Sequence, residues 1–296
     1  MRKFGLLLLM IVCCFAVTGC GALLLYMTAS EDVVTPEERT PRAPRTEATA
    51  SESELSRHLT SSRMRSFEEE HAVSAEQERY LAFGAFVMTN NQESIRVFEL
   101  DWSSFSAGRI LSNFWSIEDR ESAITQLEFL ANADGQSPRA DEIFNTFVKQ
   151  GYTHPLSGAD FRVHESALEY ATQSQVNDGL RAYEGAKALL TESFGFTEEE
   201  LLDIPTLVAW DYGRVAIIAR YGVQAGFLEE DEVWDYLKRA ADSAAENYDS
   251  WREYTAAHIL GRALAFGNPS DDFEDVLDFL LNHPESSFQT IDFHIE

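Results

Sequence analysis

Four side chains able to hold an anion or move a proton recur at helical spacing in the last third of the sequence. Asp211 and Arg214 stand three apart within Ala209-Trp210-Asp211-Tyr212-Gly213-Arg214, a spacing at which two helical side chains meet and pair. Trp251, Thr255, His258 and Arg262 follow at offsets of 4, 7 and 11. That spacing puts an aromatic ring, an imidazole and a guanidinium on one helix face. If the two helices pack together, Asp211, Arg214, His258 and Arg262 line one polar pocket. Such a set admits three chemistries. It is a satisfied network that locks two core helices, a pocket whose two arginines suit a carboxylate or phosphate, or a catalytic site with His258 as general base and Asp211 as its orienter.

Both stretches read as helices that a packed body must position. From Thr206 to Tyr221 apolar residues surround the axis, so that helix is expected at the centre, where an ion pair is costly unless each charge finds further partners. The second helix is expected from Ser250 to Phe266. The same period recurs over most of the remaining sequence, from Glu78 to Thr89, Asn177 to Phe194 and Glu229 to Asn247 among others. Ser116 with Asp119 reads as a capping-box start, as does Thr197 with Glu200. Ser137-Pro138 opens another helix, Asp160 to Thr172 reads as helical, and Phe288 to Ile295 reads as a short extended tail. The expected fold class is all-α, an irregular bundle of about nine helices without an internal repeat.

The ordered string in this part of the chain is distinctive. Ala209 to Arg214 is followed by Ala219-Arg220-Tyr221-Gly222, Ala225-Gly226-Phe227, Glu232-Val233-Trp234, Tyr248-Asp249-Ser250-Trp251 and His258-Ile259-Leu260-Gly261-Arg262-Ala263. Earlier, Trp115-Ser116-Ile117 stands with Arg120-Glu121 and Leu127. Together they resemble the bacterial domain-of-unknown-function 1266 family over roughly Tyr80 to Gly267, with a poor match between Gly135 and Leu202. The resemblance implies an α-helical domain and no established activity.

All three cysteines, Cys13, Cys14 and Cys20, fall at the N-terminus, so the remainder offers no thiol nucleophile or zinc thiolate. Arg2 and Lys3 precede an apolar run, and Val17-Thr18-Gly19-Cys20 resembles a lipobox whose cysteine is acylated. Apolar residues continue to Met27, however, and Phe4–Met27 is long enough, at roughly 36 Å of helix, to remain as a transmembrane anchor. Residues 1–28 are therefore expected to be a lipoprotein signal peptide with Cys20 as the lipidation site, or an uncleaved anchor. Either places the body outside the cytoplasmic membrane. Residues 29–65, with Pro36, Pro41 and Pro44, read as a disordered linker, and 66–296 as a single helical domain.

The chain carries 23 Lys and Arg against 50 Asp and Glu, a net charge of −27. This excludes nucleic-acid binding as a default reading and fits a solvated acidic coat or a basic partner. Nucleophile elbows, phosphate loops, zinc helices and other cofactor or metal motifs do not occur. The expected function is a membrane-tethered protein- or ligand-binding module of the bacterial envelope. The alternative is an envelope hydrolase or transferase working in a pocket around His258.

Overall fold

A computed structural model of the chain describes residues 53–267 and 273–294; Cys20, the apolar N-terminal run and most of the linker lie outside them. The described elements are Glu54–Leu59 (α1), Ser62–Glu70 (α2), Ala75–Ala82 (α3), Ala85–Asn90 (α4), Ser104–Trp115 (α5), Arg120–Ala131 (α6), Ser137–Thr146 (α7), Gly158–His164 (α8), Gln173–Ala188 (α9), Glu198–Asp203 (α10), Ala209–Gln224 (α11), Glu230–Asn247 (α12), Trp251–Phe266 (α13), Glu274–Asn282 (α14) and Ser287–Thr290 (α15). The fold is all-α. An isolated antiparallel bridge joins Ala72 to Val97. Among the described residues, no helix is long and apolar enough to cross a membrane.

Two helices organise the rest. In α11 every residue from Ala209 to Gly222 is buried, and α13 is buried almost end to end. These two pack on each other. Helix α11 also meets α4, α5, α6 and α12, while α7 and α9 flank α13. One contiguous apolar cluster runs from Leu59 to Phe293, so hydrophobic burial at about 25 cal/mol per Å² is the main force holding the helices together.

Capping explains most helix starts. Ser74 with Gln77, Thr172 with Gln175 and Thr197 with Glu200 form reciprocal capping boxes. Ser250 caps α13, and Gly267 ends it in the left-handed region at φ 67°.

Several expectations are corrected. The linker does not extend to Arg65, because Ser53 and Ser61 cap two short helices whose Leu59 and Met64 are buried. Ser116 is not a helix start. It closes α5 at φ 53°, and Asp119, paired with Ser122, opens α6 instead. Helix α8 stops at His164 and gives way to a 3-10 turn at Glu165–Ala167. The expected extended tail contains the short helix α15, capped by Ser286. Short helices such as these raise the number of segments above nine without changing the class.

Candidate functional site

The start of α11 meets the start of α7, and a carboxylate from each helix serves the backbone at the other's beginning. Asp211 accepts hydrogen bonds from the backbone N–H groups of Gln136 (3.0 Å) and Ser137 (3.1 Å). Helix α7 has no side-chain cap of its own, so this carboxylate serves as one, at the positive end of the helix dipole. In return, Asp141 of α7 accepts from Thr206 Oγ1 and from the Leu207 N–H, both at 2.6 Å, just ahead of α11. Arg214 pairs with Asp211, donates from Nε to the Trp210 carbonyl at 3.2 Å, and lies 4.5 Å above the Trp210 ring. The pair therefore has the additional partners that a buried ion pair requires.

The aromatic residues around this start complete the enclosure. Tyr248 Oη accepts from the Ala209 N–H at 3.0 Å and donates to the Thr206 carbonyl at 2.9 Å. Tyr254 donates to the Phe83 carbonyl at 2.7 Å. His258 Nδ1 lies 3.1 Å from the Ala209 carbonyl. A carbonyl only accepts, so Nδ1 carries the proton and the neutral ring keeps its lone pair on Nε2. Burial pushes the His258 pKa down to about 3, with Arg214 and Arg262 adding to the shift and the Ala209 bond opposing it. Phe86 and Trp210 pack on the ring at 4.7 and 5.2 Å.

Asp211 and His258 are fully buried, and Arg214 and Arg262 are only 3% and 6% exposed. These four side chains are thus gathered around one helix junction, but walled in. The Arg262 cation lies over Phe273 at 4.6 Å. Trp251 packs on Phe83 at 4.7 Å, stacks on Phe288 at 4.4 Å and donates to the Ile291 carbonyl at 2.7 Å. A general base must reach a substrate proton within about 3 Å, directly or through one water. His258 has its Nδ1 on a backbone carbonyl and its Nε2 buried, and a base with so depressed a pKa is weak at neutral pH.

Close helix approach makes the enclosure possible. A Cβ built on Gly213 would stand 2.6 Å from His258 Nδ1, so Gly213→Ala is expected to lower stability by about 1–3 kcal/mol through overpacking. Denaturant melts of the two proteins check this; equal midpoints would show that the helices can separate at no cost.

Comparison with known proteins follows the same segment. The profile of a family described as protein of unknown function (DUF1266) matches residues 110–293. The chain belongs to that family. The chain is also similar to an uncharacterized protein of Escherichia coli strain K12, YbeR, at 24% identity over 162 residues, 55% of this chain and 59% of that protein. The chain thus spans less than two thirds of that relative's length. No solved structure matches. The residue strings of the family resemblance all fall inside the matched segment, and several of their side chains serve the α7–α11–α13 junction described above.

A second polar network, not anticipated from the sequence, lies at the other end of α11. Arg220 is buried and donates to three carbonyls of the segment between α4 and α5: Ser94 (2.9 Å), Phe98 (2.8 Å) and Glu99 (2.7 Å). Beside it, Glu93 Oε1 accepts from Tyr221 Oη (2.6 Å) and Trp102 Nε1 (3.1 Å). Desolvation holds the Glu93 pKa above the ordinary carboxylate range, opposed by Arg220 and by these two donors. Glu93 lines an open cleft of about 480 Å³ together with Glu68, Glu78, Thr89, Arg96 and Glu285. The signal available in the sequence was Arg220 in its conspicuous string; nothing marked Glu93 or Thr89. Among the described residues, no group of three or more His, Cys, Asp or Glu is placed to hold a metal ion.

Proposed function

We propose that this chain is a membrane-tethered binding module of the bacterial envelope. Its N-terminal segment holds it to the membrane, its helical body lies on the extracytoplasmic side, and its ligand occupies the open cleft. The observation that carries the choice of binding over catalysis is the burial of His258, Asp211, Arg214 and Arg262. The residues best suited to chemistry are committed to holding helices, whereas an accessible concavity with polar walls is the usual form of a binding site. The long apolar run, the lipobox-like Val17 to Cys20 and the proline-containing linker support the tether.

Labelling cells with a radioactive fatty acid tests the attachment. Wild type is expected to fractionate with membranes. In the lipoprotein form, label is present in wild type and lost in Cys20→Ala; in the anchored form, both proteins remain in the membrane unlabelled. Recovery of both proteins in the soluble fraction would overturn the proposal.

A further inference from the structure

The cleft is built differently from the junction at the start of α11. Its walls come from α2, α3, α4, the segment after α4 and the C-terminal turn. Most of these residues precede residue 110 and so lie outside the family match. The Glu68, Glu69, Glu78, Glu93 and Glu285 side chains face two cations in the lining, Arg65 and Arg96. Those cations are engaged within the protein: Arg65 with Glu285 at 2.8 Å, and Arg96 with the Glu285 carbonyl at 3.0 Å and Thr290 Oγ1 at 3.1 Å.

Among the described residues, three oxygen atoms of the lining receive no hydrogen bond: Glu78 Oε1, Thr89 Oγ1 and Glu93 Oε2. Thr89 is fully buried and Glu93 is 6% exposed. The guanidinium groups nearest the two carboxylate oxygens stand off at 3.5 Å (Arg96) and 3.9 Å (Arg220). A buried acceptor left without a donor costs about 1–3 kcal/mol, and a carboxylate more, so this end of the cleft favours a ligand that brings donors and positive charge.

We infer that the cleft binds a primary ammonium group, carried by a small amine or by a lysine side chain, with Glu93, Glu78 and Thr89 as its acceptors. An ammonium is a compact cation with three N–H donors, the kind of group that lining acceptors without a donor among the described residues call for. The remaining glutamates supply a negative field that draws the cation in. The absence among the described residues of a three-ligand carboxylate or imidazole cluster weighs against a divalent metal ion as occupant. Desolvation holds the Glu68 and Glu93 pKa values above the ordinary carboxylate range, and a bound cation would oppose that shift.

This inference rests on the reading of the body as a binding module. Its test uses purified full-length chain in non-ionic detergent, so that membrane fractionation judges the tether separately. Calorimetric titrations would compare 1,5-diaminopentane, Nα-acetyl-lysine methylamide, its uncharged norleucine counterpart and calcium chloride. Saturable binding of one or both amines, at least tenfold weaker in Glu93→Gln and in Glu78→Gln and absent for norleucine, is expected. Preference for the diamine or the lysine derivative distinguishes a free amine from a protein side chain. If Glu93→Gln does not fold, Glu78→Gln, at a side chain 24% exposed, carries the comparison. No saturable amine binding, amine binding unchanged in the folded variants, norleucine binding as tightly as lysine, or calcium displacing the amine stoichiometrically would each overturn it.

Discussion

Asp211→Ala is expected to lower the unfolding free energy by about 3–5 kcal/mol. The substitution strands the buried Arg214 guanidinium and takes away both acceptors of the Gln136 and Ser137 N–H groups, which opens the start of α7. Asp211→Asn separates these losses. It keeps an acceptor for one backbone amide while removing the charge, so it is expected to fall between wild type and alanine. Urea melts followed by far-ultraviolet circular dichroism check the series. A midpoint for Asp211→Ala within about 0.5 kcal/mol of wild type would mean that the junction is open to water, where exposed ion pairs contribute little.

The second large effect is one of pH. His258 binds its proton at about pH 3 in the folded protein and near the ordinary 6.5 when unfolded. Between those values the unfolded chain holds more protons, so this group's contribution is fully present above pH 6.5 and is lost as pH falls toward 3. Glu93, Glu68 and Asp141, whose pKa values burial raises, act in the opposite sense over the acid range and flatten the overall profile. Comparison with His258→Gln isolates the imidazole. The stability advantage of wild type over that variant is expected to shrink by about 3 kcal/mol between pH 7 and pH 4. A constant difference across that range would mean that His258 meets solvent or a carboxylate in the folded state.

How much of this was legible in the sequence depends on how far each partner lies along the chain. The all-α class and the Asp211–Arg214 pair follow from local periodicity and an i, i+3 spacing. The convergence of Asp211, Arg214, His258 and Arg262 follows from two apolar helices that must bury against each other. What Asp211 serves was not legible, because its other partners are backbone N–H groups 74 and 75 positions away and every residue presents the same amide. The expected open pocket fails for a steric reason. Phe86, Trp210 and Phe273 fill the space around His258 and Arg262, and the spacing of polar residues says nothing of how large the neighbouring side chains will be. Helices α1 and α2 escaped notice because Leu59 and Met64 are sparse apolar residues in a polar stretch, so their burial depends on tertiary contact. The cleft was least legible, since Glu93 and Thr89 stand in no motif and gain their setting from Arg220, more than 120 positions later, gathering the segment after α4.

The central claim is that His258 and Asp211 hold the fold, and nuclear magnetic resonance of the full chain labelled at its histidine nitrogens addresses it most directly. The chain has seven histidines, and the signals missing from His258→Gln identify the one in question. The account predicts that these signals report a neutral ring protonated at Nδ1 and stay unmoved from pH 8 down to about pH 4. A titration midpoint near 6.5, or a proton found on Nε2 at neutral pH, would contradict it.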